Sequence, residues 1–330
     1  MRKFTTIVFS LLWAASLFAQ DPQFSQFYAN TIYTNPAFTG ASGRLRLAMA
    51  ARNQYTAMQR NYKTAAVSLD ADFNSLNGGL GLIAMTDVAG DGFLTTTSVS
   101  GIYAYRTALT RKISFRAALQ AGIIQKNYDY SQFRFGDQID DRLGFVLRTR
   151  ETNVQEQISF PNFSGGILVF SDRIFGGAAV HNIIEPNQSF FFPNSNDADF
   201  RLPRRYTAHL GSIIYLSHQR NESDRTYISP NILYMQQRNF NQLNLGFFYK
   251  REVLSGGLWF RQTSNNSDAI IGLVSLRFNR FRVGYSYDAI VSKARTATVG
   301  THELTLVLEI KLPRKTESKR QSKMLKCPDM

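Results

Sequence analysis

The sequence predicts an all-β protein: a closed antiparallel transmembrane β-barrel of about 14 strands, entered by an irregular N-terminal segment. Three observations carry this prediction. Apolar and polar residues alternate with a period of two in one segment after another between residues 44 and 311. Most of these segments are ~10 residues long, enough for a strand to cross a bilayer at a strong tilt. The two longest connections, 127–163 and 183–203, both follow odd-numbered strands, so they leave the same end of a barrel.

The chain opens with Arg2 and Lys3, followed by an apolar run over 5–19. This is the layout of a secretory signal (1–19), with cleavage placed after Ala19; Leu17 departs from the small residue usual at its position. The run is short for an anchor helix, and no later segment reaches the ~20 apolar residues that a transmembrane helix needs. A mean hydropathy slightly below zero suits a soluble protein and a transmembrane barrel equally, so periodicity has to decide between them.

Residues 20–43 form an aromatic, Gln/Asn-rich entry segment. Phe24, Phe27, Tyr28, Ile32, Tyr33 and Phe38 follow no period, and Pro22, Pro36 and Gly40 interrupt it. So apolar a stretch is expected to pack, either inside the barrel as a plug or against a partner. Gln23, Phe24, Ser25, Gln26, Phe27, Asn35, Pro36, Ala37, Phe38 and Gly40 are the candidate contacts. With both chain ends on the periplasmic side, this leader is expected at the periplasmic mouth.

The candidate strands are 44–53, 62–73, 78–87, 93–107, 112–126, 164–171, 173–182, 204–217, 226–236, 239–250, 254–263, 268–279, 281–291 and 301–311. In 64–73, Ala65, Val67, Leu69, Ala71 and Phe73 oppose Thr64, Ala66, Ser68, Asp70 and Asp72. In 302–310, His302, Leu304, Leu306, Leu308 and Ile310 oppose Glu303, Thr305, Val307 and Glu309. A soluble sandwich would bury one face of each strand and would show less charge on the other. Asp70, Asp72, Arg106, Lys112 and Arg116 fall on polar faces and are the candidate lumen-facing charges; they suit an open pore and a plugged lumen alike. Residues 312–330 read as a basic periplasmic tail.

Composition narrows the function. Cys327 is the sole cysteine, so an internal disulfide is excluded and the sheet must hold the chain together. The net charge of +14 on an exported chain points to anionic outer-membrane lipid or an acidic partner, not to nucleic acid. His181, His209, His218 and His302 show no metal-ligand spacing, and no cofactor motif is present. His209 shares a polar strand face with Arg205 and Thr207; an ordinary lumen histidine is preferred there over a rim hydrolase. Asp137, Asp140 and Asp141 could attract Ca²⁺, but they match no EF-hand spacing and read as turn formers. The chain is therefore expected not to be an enzyme.

The run Gln20-Asp21-Pro22-Gln23-Phe24-Ser25-Gln26-Phe27-Tyr28, followed by Asn35-Pro36-Ala37-Phe38-Thr39-Gly40, resembles the opening of the PorP/SprF family. These are outer-membrane proteins of the type IX secretion and gliding machinery of Bacteroidetes. Val283–Asp288 with Gly300-Thr301-His302-Glu303-Leu304 resembles the family's closing hairpin, and Cys327-Pro328 its terminal Cys-Pro. Asp329-Met330 departs from the usual aromatic finish. The resemblance implies a non-enzymatic barrel supporting secretion or surface display of substrate proteins such as adhesins. It also implies other secretion components as partners, a periplasmic peptidoglycan-associated protein being a further candidate. Asn35-Pro36-Ala37 is also similar to a motif of FadL-type transporters, whose N-terminal segment plugs a barrel. A channel or transporter of small or hydrophobic solutes is thus the alternative function.

Overall fold

The computed structural model describes residues 21–311 except 57, 59–60, 91, 130–135, 141, 148–155, 191–199, 218–224, 265–267 and 292–299. The expected signal, the basic tail, Cys327 and Pro328 lie outside the described residues.

Fourteen antiparallel strands close on themselves. They are β1 (Leu45–Gln54), β2 (Tyr62–Phe73), β3 (Gly78–Ala89), β4 (Leu94–Ala108), β5 (Ser114–Tyr128), β6 (Gln157–Phe170) and β7 (Ile174–His181). The circle continues through β8 (Arg205–Ser212, resumed at Ile214–Tyr215), β9 (Tyr227–Gln237), β10 (Phe240–Arg251), β11 (Leu254–Thr263), β12 (Ala269–Phe278), β13 (Phe281–Ile290) and β14 (Thr301–Ile310). Each strand pairs with its neighbour in sequence, and β1 pairs with β14 from Leu45↔Ile310 to Gln54↔Thr301. Closure removes the unpaired edges that an open sheet would present to lipid.

The two faces are sorted as the period-two pattern requires. Met49, Val67, Leu82, Leu119, Ile167, Leu210, Leu258, Val274 and Leu306 stand exposed on the outer wall. Ser68, Asp70, Arg116, Ser164, Thr207, Asn244, Ser286 and Glu303 are buried on the inner wall. A polar interior inside an apolar band is the inverse of a water-soluble domain and fits a bilayer.

β6 begins well before the expected residue 164 because its first half passes through Pro161, which reads as a strand breaker. Pro161 pairs with Ile123 of β5, but β7 joins β6 only from Gly165 onward. The proline therefore sits where one edge carries no ladder and its missing N–H costs nothing.

At one end the connections are mostly tight, as at Asn74–Asn77 and at residues 279–280, where Asn77 and Asn279 take positive φ. The long segments between β5 and β6 and between β7 and β8 leave the other end. Two connections break the parity: the β8–β9 connection is long at the tight end, and Arg238–Asn239 is tight at the other.

Candidate functional site

The segment before β1 runs through the lumen. It contains one helical turn (Thr31–Thr34) and a 3₁₀ turn (Pro36–Phe38). Asn35 joins them in an extended conformation, and its Oδ1 accepts a hydrogen bond from Ala37 N at 2.9 Å, capping the second turn. Pro36 occupies the first position of that turn, where no backbone donor is needed. Side chains and backbone of the segment bond to β1, β2, β5–β9, β11, β13 and β14, so it spans the interior from wall to wall.

Asp21 begins the segment at the end of the barrel that carries the long connections. Its N–H donates to Gln237 Oε1 (3.0 Å), and its carboxylate accepts from Asn182 Nδ2 (3.0 Å). The sequence placed this leader at the periplasmic mouth. It instead starts towards the opposite end and descends to join β1, because its polar anchors lie along the whole depth of the inner wall.

The first anchor is charged. Glu303 accepts the backbone N–H groups of Ser25 (2.7 Å) and Gln26 (3.0 Å). Ser25 Oγ donates to Asp288 (2.5 Å) and accepts from Arg261 (2.9 Å) and Arg52. Arg52 bridges Glu303 (3.1 Å) and Asp288 (3.3 Å), and Arg261 pairs with Asp288 at 2.9 Å. Two guanidinium and two carboxylate groups thus balance each other around one serine. Gln26 lies across β13 and β14, donating to Ser286 Oγ (3.2 Å) and Glu303 O (2.9 Å) and accepting from Thr305 (2.7 Å). This fit needs Gly284, where an added Cβ would stand 2.6 Å from Gln26 Oε1.

Aromatic contacts follow. Phe27 meets Trp259 edge-on at 4.7 Å, Tyr28 meets Phe248 at 4.4 Å, and Phe24 meets Tyr33 at 5.3 Å. Burial holds the Tyr28 hydroxyl well above the usual tyrosine range. Burial also pushes Tyr33 up to about 12, against the opposing pull of Arg205, which donates to its hydroxyl at 2.7 Å. Arg46 donates to Thr31 Oγ1 (2.9 Å) and to the carbonyl of Ala29.

The second anchor is neutral. Asn35 Nδ2 donates to Ile167 O (3.0 Å) and Ala178 O (3.3 Å) and stands 3.1 Å from His209 Nε2. The His209 ring also stacks on Phe38 at 4.9 Å. His181 Nε2 and Thr207 Oγ1 both reach Thr34 O, at 3.2 and 3.0 Å. Lower down, Arg116 donates to Thr39 O (2.6 Å), Gly40 O (3.1 Å) and Asp72 (2.8 Å). Gly40 N donates to Asp70 at 2.8 Å, and Arg106 pairs with Asp72 at 2.6 Å. Gly40 has φ +71°, and its missing Cβ leaves the backbone room to lie on Gly79.

Asp70, Asp72, Arg106 and Arg116 therefore point inward. Lys112 does not. It lies exposed in the turn before β5, where Lys112 N (3.2 Å) and Ile113 N (3.1 Å) donate to Thr110 Oγ1, so the strand alternation does not extend to it. Of the closing motif, Glu303 faces the lumen, whereas His302 faces outward and bonds Tyr285 OH at 2.7 Å. Pro36, Ala37 and Phe38 are buried, and Gln23 lines a cavity of about 570 Å³ on the outward side of the segment. Tyr33, Arg52, Arg205 and Lys126 also line that cavity. Sequence reading did not select Arg46, Arg52, Arg205, Arg261 or Asp288. The available signal was their place on inward strand positions, together with the inward glycines opposite Gln26 and Asn35.

His181 and His209 use ring nitrogens to hold the segment, and no group of three His, Cys, Asp or Glu side chains among the described residues is arranged for a metal. In the long connection after β5, Asp140 Oδ1 accepts Arg142 N and Leu143 N at 2.9 Å each. These bonds close a turn and hold its carboxyl below the usual range.

An apolar outer band, a polar inner wall and a chain segment threaded through the lumen define an outer-membrane β-barrel. Residues 16–308 match the family model described as type IX secretion system membrane protein PorP/SprF, and the chain belongs to that family. It is thus a membrane component of type IX secretion, and this membership points to other secretion components as its partners. No curated protein matches it in sequence. Among solved structures it is similar to the toluene transporter TodX of Pseudomonas putida (10% identity over 89% of this chain and 96% of that one, TM-score 0.48). It is also similar to the toluene transporter TbuX of Ralstonia pickettii (11%, 85% and 92%, 0.47) and to the outer membrane protein Omp33 of Acinetobacter baumannii (9%, 82% and 100%, 0.44). These likenesses are distant, and the barrel assignment rests on this chain's own strand pairing.

Proposed function

We propose that this protein is a non-enzymatic outer-membrane component that supports secretion or surface display of substrate proteins such as adhesins. In this reading the barrel is a rigid, filled support, and partners engage it from its outer mouth or its periplasmic end. The observation that favours this is the occupied lumen. Residues 24–41 are almost wholly buried and bonded to strands all around the wall, an arrangement suited to holding a shape. The partners would be a secreted surface protein, other secretion components and a peptidoglycan-associated protein near the periplasmic tail.

Deletion of the gene in its host tests this, with surface proteins released by protease shaving and counted by mass spectrometry. One or more surface proteins should disappear while uptake of small solutes stays normal. Unchanged surface proteins with impaired uptake would overturn the reading. The cavity of about 570 Å³ favours a second reading, a route for small or hydrophobic solutes. That reading requires uptake that changes when residues 21–43 are removed.

A further inference from the structure

The outer wall carries a second cavity, of about 410 Å³, within the size range of small-ligand sites. It lies over β1, β2 and β14, near the end with the long connections. Its floor is a notch made by two small residues, Ala51 and Ala65, which stand directly opposite each other in the β1–β2 ladder. Leu304 flanks Ala51 on one side and Thr86 flanks Ala65 on the other. Met49 and Val67, exposed and apolar, continue the surface one rank towards the mid-membrane.

The rank nearer the strand tips is polar. Asn53 stands between His302 and Lys63. Lys63 is exposed, and the outward positions beside it in both ranks carry no carboxylate. Tyr285 OH lies 2.7 Å from His302 Nδ1, which leaves Nε2 as the ring nitrogen available to a ligand. Asn53 Oδ1 is a buried acceptor without a partner among the described residues. Tyr285 and Tyr287 are exposed on the same patch, at the height where tyrosines gather at the membrane interface.

We propose that this patch binds an anionic, phosphate-bearing lipid. The phosphate would sit on Lys63 and His302, and an acyl chain would fill the notch over Ala51 and Ala65. Charge complementarity selects the headgroup, and the small residues select a chain lying against the wall. Bulk contact with lipid around a barrel needs neither feature.

The test is native mass spectrometry of the full-length protein, released from detergent after titration with monophosphoryl lipid A, phosphatidylglycerol or phosphatidylcholine. Both anionic lipids should be retained in preference to phosphatidylcholine. K63Q should weaken anionic retention about fivefold, the size of one interfacial lysine, and leave phosphatidylcholine unchanged. A65L should reduce retention of all three by closing the notch. Both substitutions lie on the lipid face, so heat-shifted gel mobility of the barrel checks that each variant folds. K112Q, at the other end of the barrel, is the control and should behave as wild type. Equal retention of phosphatidylglycerol and lipid A assigns the selectivity to the net negative charge of a phosphate without a cationic partner; preference for lipid A adds its sugar hydroxyls. Equal retention of all three lipids by the wild type, or full retention by folded K63Q and A65L, overturns the proposal.

Discussion

Two anchor points of the lumen segment are held by different chemistry. At Ser25–Gln26 the wall presents Arg52, Arg261, Asp288 and Glu303, a buried cluster of charges closing on backbone N–H groups and one hydroxyl. At Asn35–Phe38 it presents carbonyl oxygens, a neutral histidine and glycine gaps. The charged anchor at Ser25–Gln26 tolerates no missing member, because any loss strands a buried ion. The neutral anchor depends on shape, since Gly166 and Gly177 leave the space that the Asn35 amide occupies. The first is a brittle lock, and the second a close fit that can relax.

Glu303→Ala separates the two most sharply. It leaves Arg52 and Arg261 to share the single carboxylate of Asp288 and two buried N–H groups unpaired, and should cost about 3–5 kcal/mol, read as a large drop in the temperature at which the barrel loses its folded gel mobility. A loss no greater than that of an outward-facing control would show that the charged cluster contributes no net stability. Gly166→Val tests the close fit. Its Cβ would lie 2.1 Å from Asn35 Oδ1, so the amide must leave its seat, with an expected cost of about 1–3 kcal/mol. Residues 21–43 should then become open to protease while the barrel stays folded. Asn35→Ala removes the same contacts without a clash and should cost about 1–3 kcal/mol through the unpaired groups it leaves. If Asn35→Ala exceeds Glu303→Ala, the contrast between the two anchors is reversed.

The smallest effect concerns pH. The Tyr33 hydroxyl donates to Pro22 O, and its ionisation is pushed up from ~10 to about 12. A raised folded value means that this contribution to seating is complete below pH ~10 and is lost as pH rises towards about 12. Ultraviolet titration should show one fewer late-ionising tyrosine in Tyr33→Phe than in the wild type, in which Tyr28 also ionises late. A full complement of normal titrations would place Tyr33 in contact with water.

Much of this architecture was legible beforehand. Alternation in 64–73 and 302–310 assigned the faces of β2 and β14 correctly, because a strand's period of two is a local property of the backbone. The turn at Lys112 was misread because apolar Ile113 continues the pattern one step beyond the ladder. The early start of β6 was hidden because a proline's acceptability depends on whether a neighbour claims its missing donor. In the segment 20–43, composition called for packing, but nothing local named Glu303 or Gly166 as its seat.

The sequence by itself determined the barrel, its strand number and, within the strands, which side chains face in, since each follows from local periodicity and chain length. Only the tertiary structure decided what fills the barrel. Ser25 meets Asp288 across 263 positions of sequence, and Asn35 meets Ile167 across 132. Such pairings exist only once β1 and β14 have closed the wall and brought distant inward residues around one segment.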